Sequence, residues 1–357
     1  MTATETLAKP DEPRLTSLSH GGGCGCKIAP GVLSAILRGS AAMPVPEALL
    51  VGIETADDAA VWRLNDSQAL VATTDFFMPI VDDPADFGRI AATNALSDVY
   101  AMGGQPIMAL AIVGMPIGVL SPRTIGAILE GGAAACRDAG IPIAGGHTID
   151  SVEAIYGLVA LGLVHPDRVR RNAAARPGDR LVLGKPIGVG VLSAALKKGA
   201  LDAEGYAQMI ATTTRLNTPG PELASLGAVH AMTDVTGFAL AGHALEMARG
   251  ADCDVRVDWQ AVPMLAGVRA LARRGFVTGA SGRNWASYGD EVVLPEGFAP
   301  EERALLTDPQ TSGGLLVACE PGAVDAVLQV FRRHGFAAAG VIGDVAATDA
   351  PPRLVVE

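Results

Sequence analysis

The sequence predicts two domains, each mixing strands and helices in the α/β or α+β manner, and three observations predict it. The chain has 357 residues, and at roughly 150 residues per domain that length accommodates two cores. Apolar residues make up 49% of it and charged residues only 18%, a balance that a disordered chain does not have. Strand-like apolar runs alternate with helical periodicity on both sides of a polar, basic stretch at 165–179, which reads as the domain boundary. Residues 1–19 then form a tail, 20–168 the first domain and 169–357 the second.

The elements follow in order. The tail is polar and proline-bearing and has no apolar core of a signal peptide, so a cytoplasmic protein is expected. A glycine-rich loop, 20–29, precedes a helix expected over Pro30–Leu37. One strand from Leu49 is expected to end in the segment Glu54–Trp62, and another covers Ala69–Phe77. A helix over about Phe87–Met102, a strand over Ile107–Val113 and a helix over Ser121–Ala139 come next, the last with a Ser-Pro entry. A short strand stopping in the turn Ala144–Asp150 and a buried strand, Ile155–Val164, complete the first domain. The second domain reads as strands at Arg180–Leu183, Val229–Met232 and Asp254–Asp258, with helices near Val191–Lys198, Glu204–Leu216, Ala239–Arg249, Pro263–Arg274 and Val324–Arg333.

Charge restricts function. With 27 basic and 38 acidic residues the chain carries −11, and aromatics are 4%, which speaks against a nucleic-acid surface of basic stripes and stacking rings. An anionic ligand would need backbone N–H groups, a few lysines or bound cations. The longest uncharged apolar run, Ile107–Leu120, is broken by Gly114, Pro116 and Gly118, so no membrane span is expected. Five cysteines without regular spacing make no disulfide scaffold.

The segment Gly21–Lys27 is the sharpest local feature, since consecutive glycines let N–H groups converge on an anion and Lys27 adds a point charge. It lacks the Lys-Ser/Thr pair of a Walker loop, and a plain surface loop is the alternative. For Cys24 and Cys26, a metal site, a reactive thiol and incidental thiols all stand; beside Lys27 and backbone donors a depressed thiol pKa is expected. Asp57, Asp58, Asp75, Asp98, Asp150, Asp234 and Asp308 sit where expected elements end. Converging carboxylates of this kind bind magnesium, although any single one suits a helix cap. Asn94 and Asp98 share an alanine-lined helix face, either as a metal or phosphate contact or as an internal hydrogen-bonded pair. Two further turns, Ala144–Asp150 with His147 and Thr307–Leu315, combine glycine with polar groups.

Together these segments resemble the selenophosphate synthetase family, also called selenide, water dikinase. The likeness runs through Ser19–Lys27, Asp57–Val61, Thr73–Phe77, Ala92–Asp98, Ala144–His147, Met232–Phe238 and Asp308–Leu315, and covers nearly the whole chain from Ser19. Some of these motifs also occur in aminoimidazole ribonucleotide synthetase and thiamine monophosphate kinase, whereas Cys-Gly-Cys-Lys at 24–27 is specific. Gly184, before Lys185-Pro186, departs from the family's usual threonine.

The resemblance implies a two-domain aminoimidazole ribonucleotide synthetase-like fold, with an ATP- and magnesium-binding α/β domain whose sheet pairs across a homodimer and an α+β second domain. It implies synthesis of selenophosphate from selenide, ATP and water, with release of AMP and orthophosphate and a requirement for Mg2+ and K+. It assigns catalysis to Cys24 and Lys27, nucleotide contacts to Lys27, Thr55, Ala56, Asp57, Asp75, Asp98, Gly146, His147 and Thr148, and magnesium ligation to Asp58, Asp98 and Asp234. The loop is expected to close over the phosphates. A selenium-delivery protein is left open as a partner. The rivals are another ATP-using enzyme of the superfamily and a thiol-based selenium or persulfide carrier.

Overall fold

The structure is a computed structural model and describes residues 12–28, 32, 36, 45–52 and 57–357. The expected helix Pro30–Leu37 lies largely outside the described residues, and Thr55 and Ala56 lie wholly outside them. Two sheets organise the chain. The first has the strands β1 (Leu49–Val51), β2 (Ala60–Arg63), β3 (Ala69–Phe77), β4 (Gln105–Met115), β5 (Ile143–Asp150) and β6 (Ile155–Val164), in the order β1-β2-β3-β6-β4-β5. Only β4 and β5 run parallel, because the helix Pro122–Asp138 carries the chain back between them. The segment expected as one strand from Leu49 to Trp62 is two antiparallel strands, β1 and β2, with Leu49 opposite Trp62.

Alternation decides what each face of this sheet meets. In β3, Ala69, Val71, Thr73, Asp75 and Phe77 are buried, while Thr74 and Phe76 are exposed. The buried side packs on the helices Pro84–Ala101 and Pro122–Asp138. Both begin with a capped turn and proline: Asp83 accepts from the Asp86 amide and Ser121 from the Thr124 amide. They touch backbone to backbone, since a Cβ on Gly88 would collide with the Ile128 carbonyl. The helix Pro84–Ala101 is buried nearly all round, with Ala91, Ala92, Ala95 and Leu96 among the most enclosed, because the second domain covers the side the sheet leaves free. At Gly220 that domain rests against the Tyr100 carbonyl so closely that no side chain fits.

The second sheet contains β7 (Arg180–Leu183), β8 (Val229–Asp234), β9 (Cys253–Val257), β10 (Val292–Val293), β11 (Leu315–Cys319), β12 (Gly340–Ala347) and β13 (Leu354–Val356), in the order β10-β13-β9-β12-β7-β11-β8. Its strands β8 and β11 pair antiparallel, Leu315 opposite Asp234, so the end of β8 meets the start of β11. The helix expected over Pro263–Arg274 is shorter, Val268–Arg273, because Gly267 takes φ +77° immediately before it. The segment Ala144–Asp150 is no turn: it lies within β5. Among the described residues no helix is long and apolar enough to cross a membrane.

Gly88→Ala should cost about 1–3 kcal/mol by overpacking the helix contact and lower the thermal midpoint by several degrees. Differential scanning calorimetry checks it, with the equivalent change at the open position Gly126 as the neutral control.

Candidate active site

Four elements deliver an acidic centre. The helix Pro84–Ala101 carries Asp98, the end of β8 carries Asp234, the turn before β2 carries Asp58, and β3 carries Asp75 beside them. One carboxylate oxygen from each of Asp58, Asp98 and Asp234 lies within 4.8 Å of the other two. Hydroxyls fix the outer oxygens: Thr233 Oγ1 donates to Asp58 Oδ1 at 2.8 Å and Thr73 Oγ1 to Asp98 Oδ2 at 2.5 Å. Asp58 Oδ2 and Asp234 Oδ2 are buried without any hydrogen-bond partner. Burial, then the neighbouring carboxylates, pushes Asp58 and Asp98 well above the ordinary range; Asp234 is also raised, by burial first. Three crowded carboxylates with orphaned oxygens fit a hard divalent cation, whose charge removes both the repulsion and the desolvation cost.

The glycine-rich loop closes over this centre. Gly23–Cys26 forms a single 3-10 turn, tied by the Gly23 amide to the Met78 carbonyl at 2.8 Å and by the Cys24 amide to Thr311 Oγ1 at 3.1 Å. Gly23 has φ +53°, and a Cβ there would strike Thr311 Oγ1, so this position requires glycine. Cys24 is 1% exposed, and its Sγ donates to Asn94 Oδ1 at 3.1 Å. Asn94 Oδ1 also accepts from the Ser312 amide at 2.7 Å, and Asn94 Nδ2 donates to Asp75 Oδ2 at 2.8 Å. The same Asp75 oxygen lies 3.4 Å from Lys27 Nζ. One carboxamide thus ties the thiol, the lysine's partner and the 308–314 turn together.

Electrostatics corrects the expectation of a depressed thiol. Burial, and then Asp75, holds Cys24 well above the ordinary thiol value, outweighing the opposing pull of Lys27. In this arrangement Cys24 is a protonated donor. Lys27 is held well above its ordinary value, chiefly by Asp75, while its side chain keeps 38% of its exposure.

The other candidates separate. Asp308 caps the helix Val189–Lys197, its Oδ2 accepting from the Gly190 and Val191 amides at 2.9 and 3.3 Å. Asp57 Oδ1 accepts from the Asn172 amide at 2.8 Å, and Asp150 Oδ1 from the Ile117 amide at 3.3 Å. Gly146, His147 and Thr148 are exposed on the edge strand β5. Asp75 pairs with Leu158, Leu158 with Ala111 and Ala111 with Gly146. Gly146 therefore shares the row of Asp75 but sits three strands away, about 14 Å at the usual strand spacing. The single chain does not bring that segment to the acidic centre.

Thr233, Thr311 and Ser312 fell within the segments of the sequence resemblance but had no assigned role, and Lys185 stood out only as the neighbour of an unusual glycine. The ammonium of Lys185 donates to the carbonyls of Arg215 and Ser312, both at 2.7 Å, and burial lowers its pKa to about 7. Ser312 holds φ +53° there, a strained value for a serine.

Comparison with known proteins accounts for both sheets and the loop. The AIR synthase related protein family matches through its N-terminal domain at residues 56–164 and its C-terminal domain at 176–351. A selenide, water dikinase of Burkholderia cenocepacia is 68% identical over 98% of this chain and 99% of its own, and one of Rhizobium meliloti is 58% identical over 96% and 98%. The chain belongs to the selenide, water dikinase family. At 20% identity, a thiamine-monophosphate kinase of Stenotrophomonas maltophilia shares the fold, with a TM-score of 0.63 over 86% of this chain and 91% of that one. A HypE hydrogenase maturation protein solved with ATP shares it at 0.58, over 87% of each chain.

Iodoacetamide should label the half-buried Cys26 before Cys24 at pH 7–8, because burial raises the pKa of both thiols but that of the fully enclosed Cys24 further. Asn94→Ala removes its acceptor and should raise Cys24 labelling at least about tenfold. Peptide mass spectrometry reads both, with the buried Cys319 as the control for general loosening.

Proposed function

We propose that the acidic centre and the loop form one ATP site in which Asp58, Asp98 and Asp234 hold Mg2+ and in which Lys27, Asp75 and Cys24 serve the phosphoryl transfer. Members of this family make selenophosphate from selenide and ATP, and that is the activity of this chain. The observation that carries the site is the meeting of three carboxylates from separate elements beneath the loop, two of them with unpaired buried oxygens. Magnesium bound there neutralises phosphate charge that a chain of −11 would otherwise repel.

In the overall reaction one P–Se bond forms, two phosphoanhydride bonds of ATP break and one water is consumed, leaving AMP and orthophosphate. Lys27, now opposite Asp75, offers a compact fixed charge to a phosphate oxygen that takes the carboxylate's place. Asn94 keeps Asp75 and Cys24 in register with that lysine. Selenide is a far better nucleophile than water, so the loop's task in the first transfer is to shield the phosphates and align the attack rather than to activate the nucleophile. Thr55, Ala56 and Asp57 are assigned to the nucleotide by the family resemblance, as is the accompanying K+, and the cytoplasm is the compartment we propose.

Gly146, His147 and Thr148 enter this reading through a second copy. Among the described residues, nothing covers one face of the first sheet. Trp62 and Phe76, 42% and 48% exposed, share it with Leu110, Ile112, Val159 and Leu161, and His147 follows in the row Phe76, Gly157, Ile112. A homodimer pairing these faces buries the apolar patch and carries β5 toward the other copy's site. Another superfamily kinase has no use for Cys24–Lys27, and a carrier without turnover leaves Asp58, Asp98 and Asp234 unexplained.

Under anaerobic conditions with ATP, magnesium and selenide, wild type should give AMP and a selenium-coupled phosphorus NMR signal. Asp58→Asn, Asp98→Asn and Asp234→Asn should each lose at least about 100-fold in turnover. Unchanged magnesium-dependent nucleotide binding in all three would remove the metal assignment. Light scattering should give twice the chain mass at micromolar concentration, and Phe76→Glu should shift it to the monomer.

A further inference from the structure

The face of the loop turned away from the acidic centre is also built. A cavity of about 400 Å3 lies against Gly21, Gly22 and Gly25, floored by Pro79 and Ile80 and walled by the end of the helix Val189–Lys197 and the start of the helix Gly279–Tyr288. Lys197, Lys198 and Arg283 line it, and no aspartate or glutamate does. Among the described residues these three cations pair with no carboxylate. Lys197 Nζ donates to the Ser19 carbonyl at 3.1 Å, Arg283 donates to the Gly25 carbonyl at 2.9 Å, and Lys198 lies over the Phe276 ring at 5.5 Å. The nearby acids are already engaged: Glu153 by His20, Asp82 by Arg14 and Thr16.

Three cations without counter-charges among the described residues are out of keeping with a chain of −11. They mark the one side of the loop where the local field favours an anion, while the acidic centre on the other side repels one. The walls narrow the class. Ile80, Val277 and Ala280 are apolar, and beside them and the three cations only the hydroxyls of Thr16, Ser193 and Thr278 and the ring of His20 offer side-chain hydrogen bonds, too few to replace the whole shell of a strongly hydrated oxyanion. A soft, polarisable, weakly hydrated monoanion loses much less on entering. Resting on the activity stated above, we infer that this cavity is the vestibule through which the hydroselenide anion reaches the loop, and that nucleotide and selenide approach from opposite faces of residues 21–25. The partition between vestibule and thiol is made of glycines, so a small displacement of the turn opens it. Arg283 and Lys197, which hold the loop backbone from the vestibule side, link that displacement to the arrival of the anion.

Lys198 gives the cleanest test because it touches neither the loop nor the acidic centre. In anaerobic steady-state assays, Lys198→Glu should raise KM for selenide about tenfold while KM for ATP and kcat at saturating selenide stay at wild-type values, and Lys198→Arg should restore KM. Raising ionic strength to about 1 M should shrink the gap between variant and wild type, as a screened field requires. Iodide should inhibit wild type competitively with selenide and Lys198→Glu more weakly, whereas sulfate should do neither. Wild type that forms no selenophosphate would remove the activity on which the inference rests. Active wild type with an unchanged selenide KM in Lys198→Glu, or with equal rises in the KM for ATP and for selenide, would overturn the vestibule alone.

Discussion

Like charges brought together out of water dominate this molecule. Asp58, Asp98 and Asp234 approach within 4.8 Å of one another, and Asp75 adds a fourth carboxylate beside them. Without a cation the centre relieves itself by taking up protons, which is what the raised pKa values express. The surrounding hydroxyls of Thr73 and Thr233, and the lysine opposite Asp75, are local responses to the same crowding. So is the placement of the centre between domains, where ligands from separate elements can converge and a substrate can enter.

The helix Pro84–Ala101 makes that convergence possible. Its alanines and glycine let the first sheet, the neighbouring helix and the second domain all approach one axis, and two polar residues a turn apart on it serve two functions. Asp98 joins the acidic centre, and Asn94 joins the loop and the 308–314 turn. Of this pair, one residue joins the cluster of carboxylates and the other holds an internal hydrogen-bond network.

That network explains how a cysteine beside a lysine comes to hold its proton. Proximity to Lys27 does lower the Cys24 pKa, but burial and Asp75 outweigh it, and Asn94 Oδ1 accepts a hydrogen bond from the thiol. The loop is therefore held in a guarded state by contacts from both domains, with Thr311 on its amide and Arg283 on its carbonyl.

Much of this was legible along the chain. Strand and helix periodicity placed most elements, because burial on one face imposes a pattern that a single segment displays, as Ile155–Val164 and Val324–Arg333 show to the residue. The motif residues identified the family and named Asp58, Asp98 and Asp234 in advance. What no single segment displays is partnership. That Asp308 caps a helix, that Gly146 sits three strands from Asp75, and that Cys24 meets Asn94 rather than open solvent all depend on residues more than 30 positions apart in sequence. The thiol shows the difference most plainly: Lys27, close by in sequence, lowers its pKa, and burial and Asp75, which only the fold supplies, raise it by more. The sequence by itself determined which groups the site contains and the fold that carries them; desolvation and long-range contact, which exist only once the two domains pack, decided their protonation and their partners.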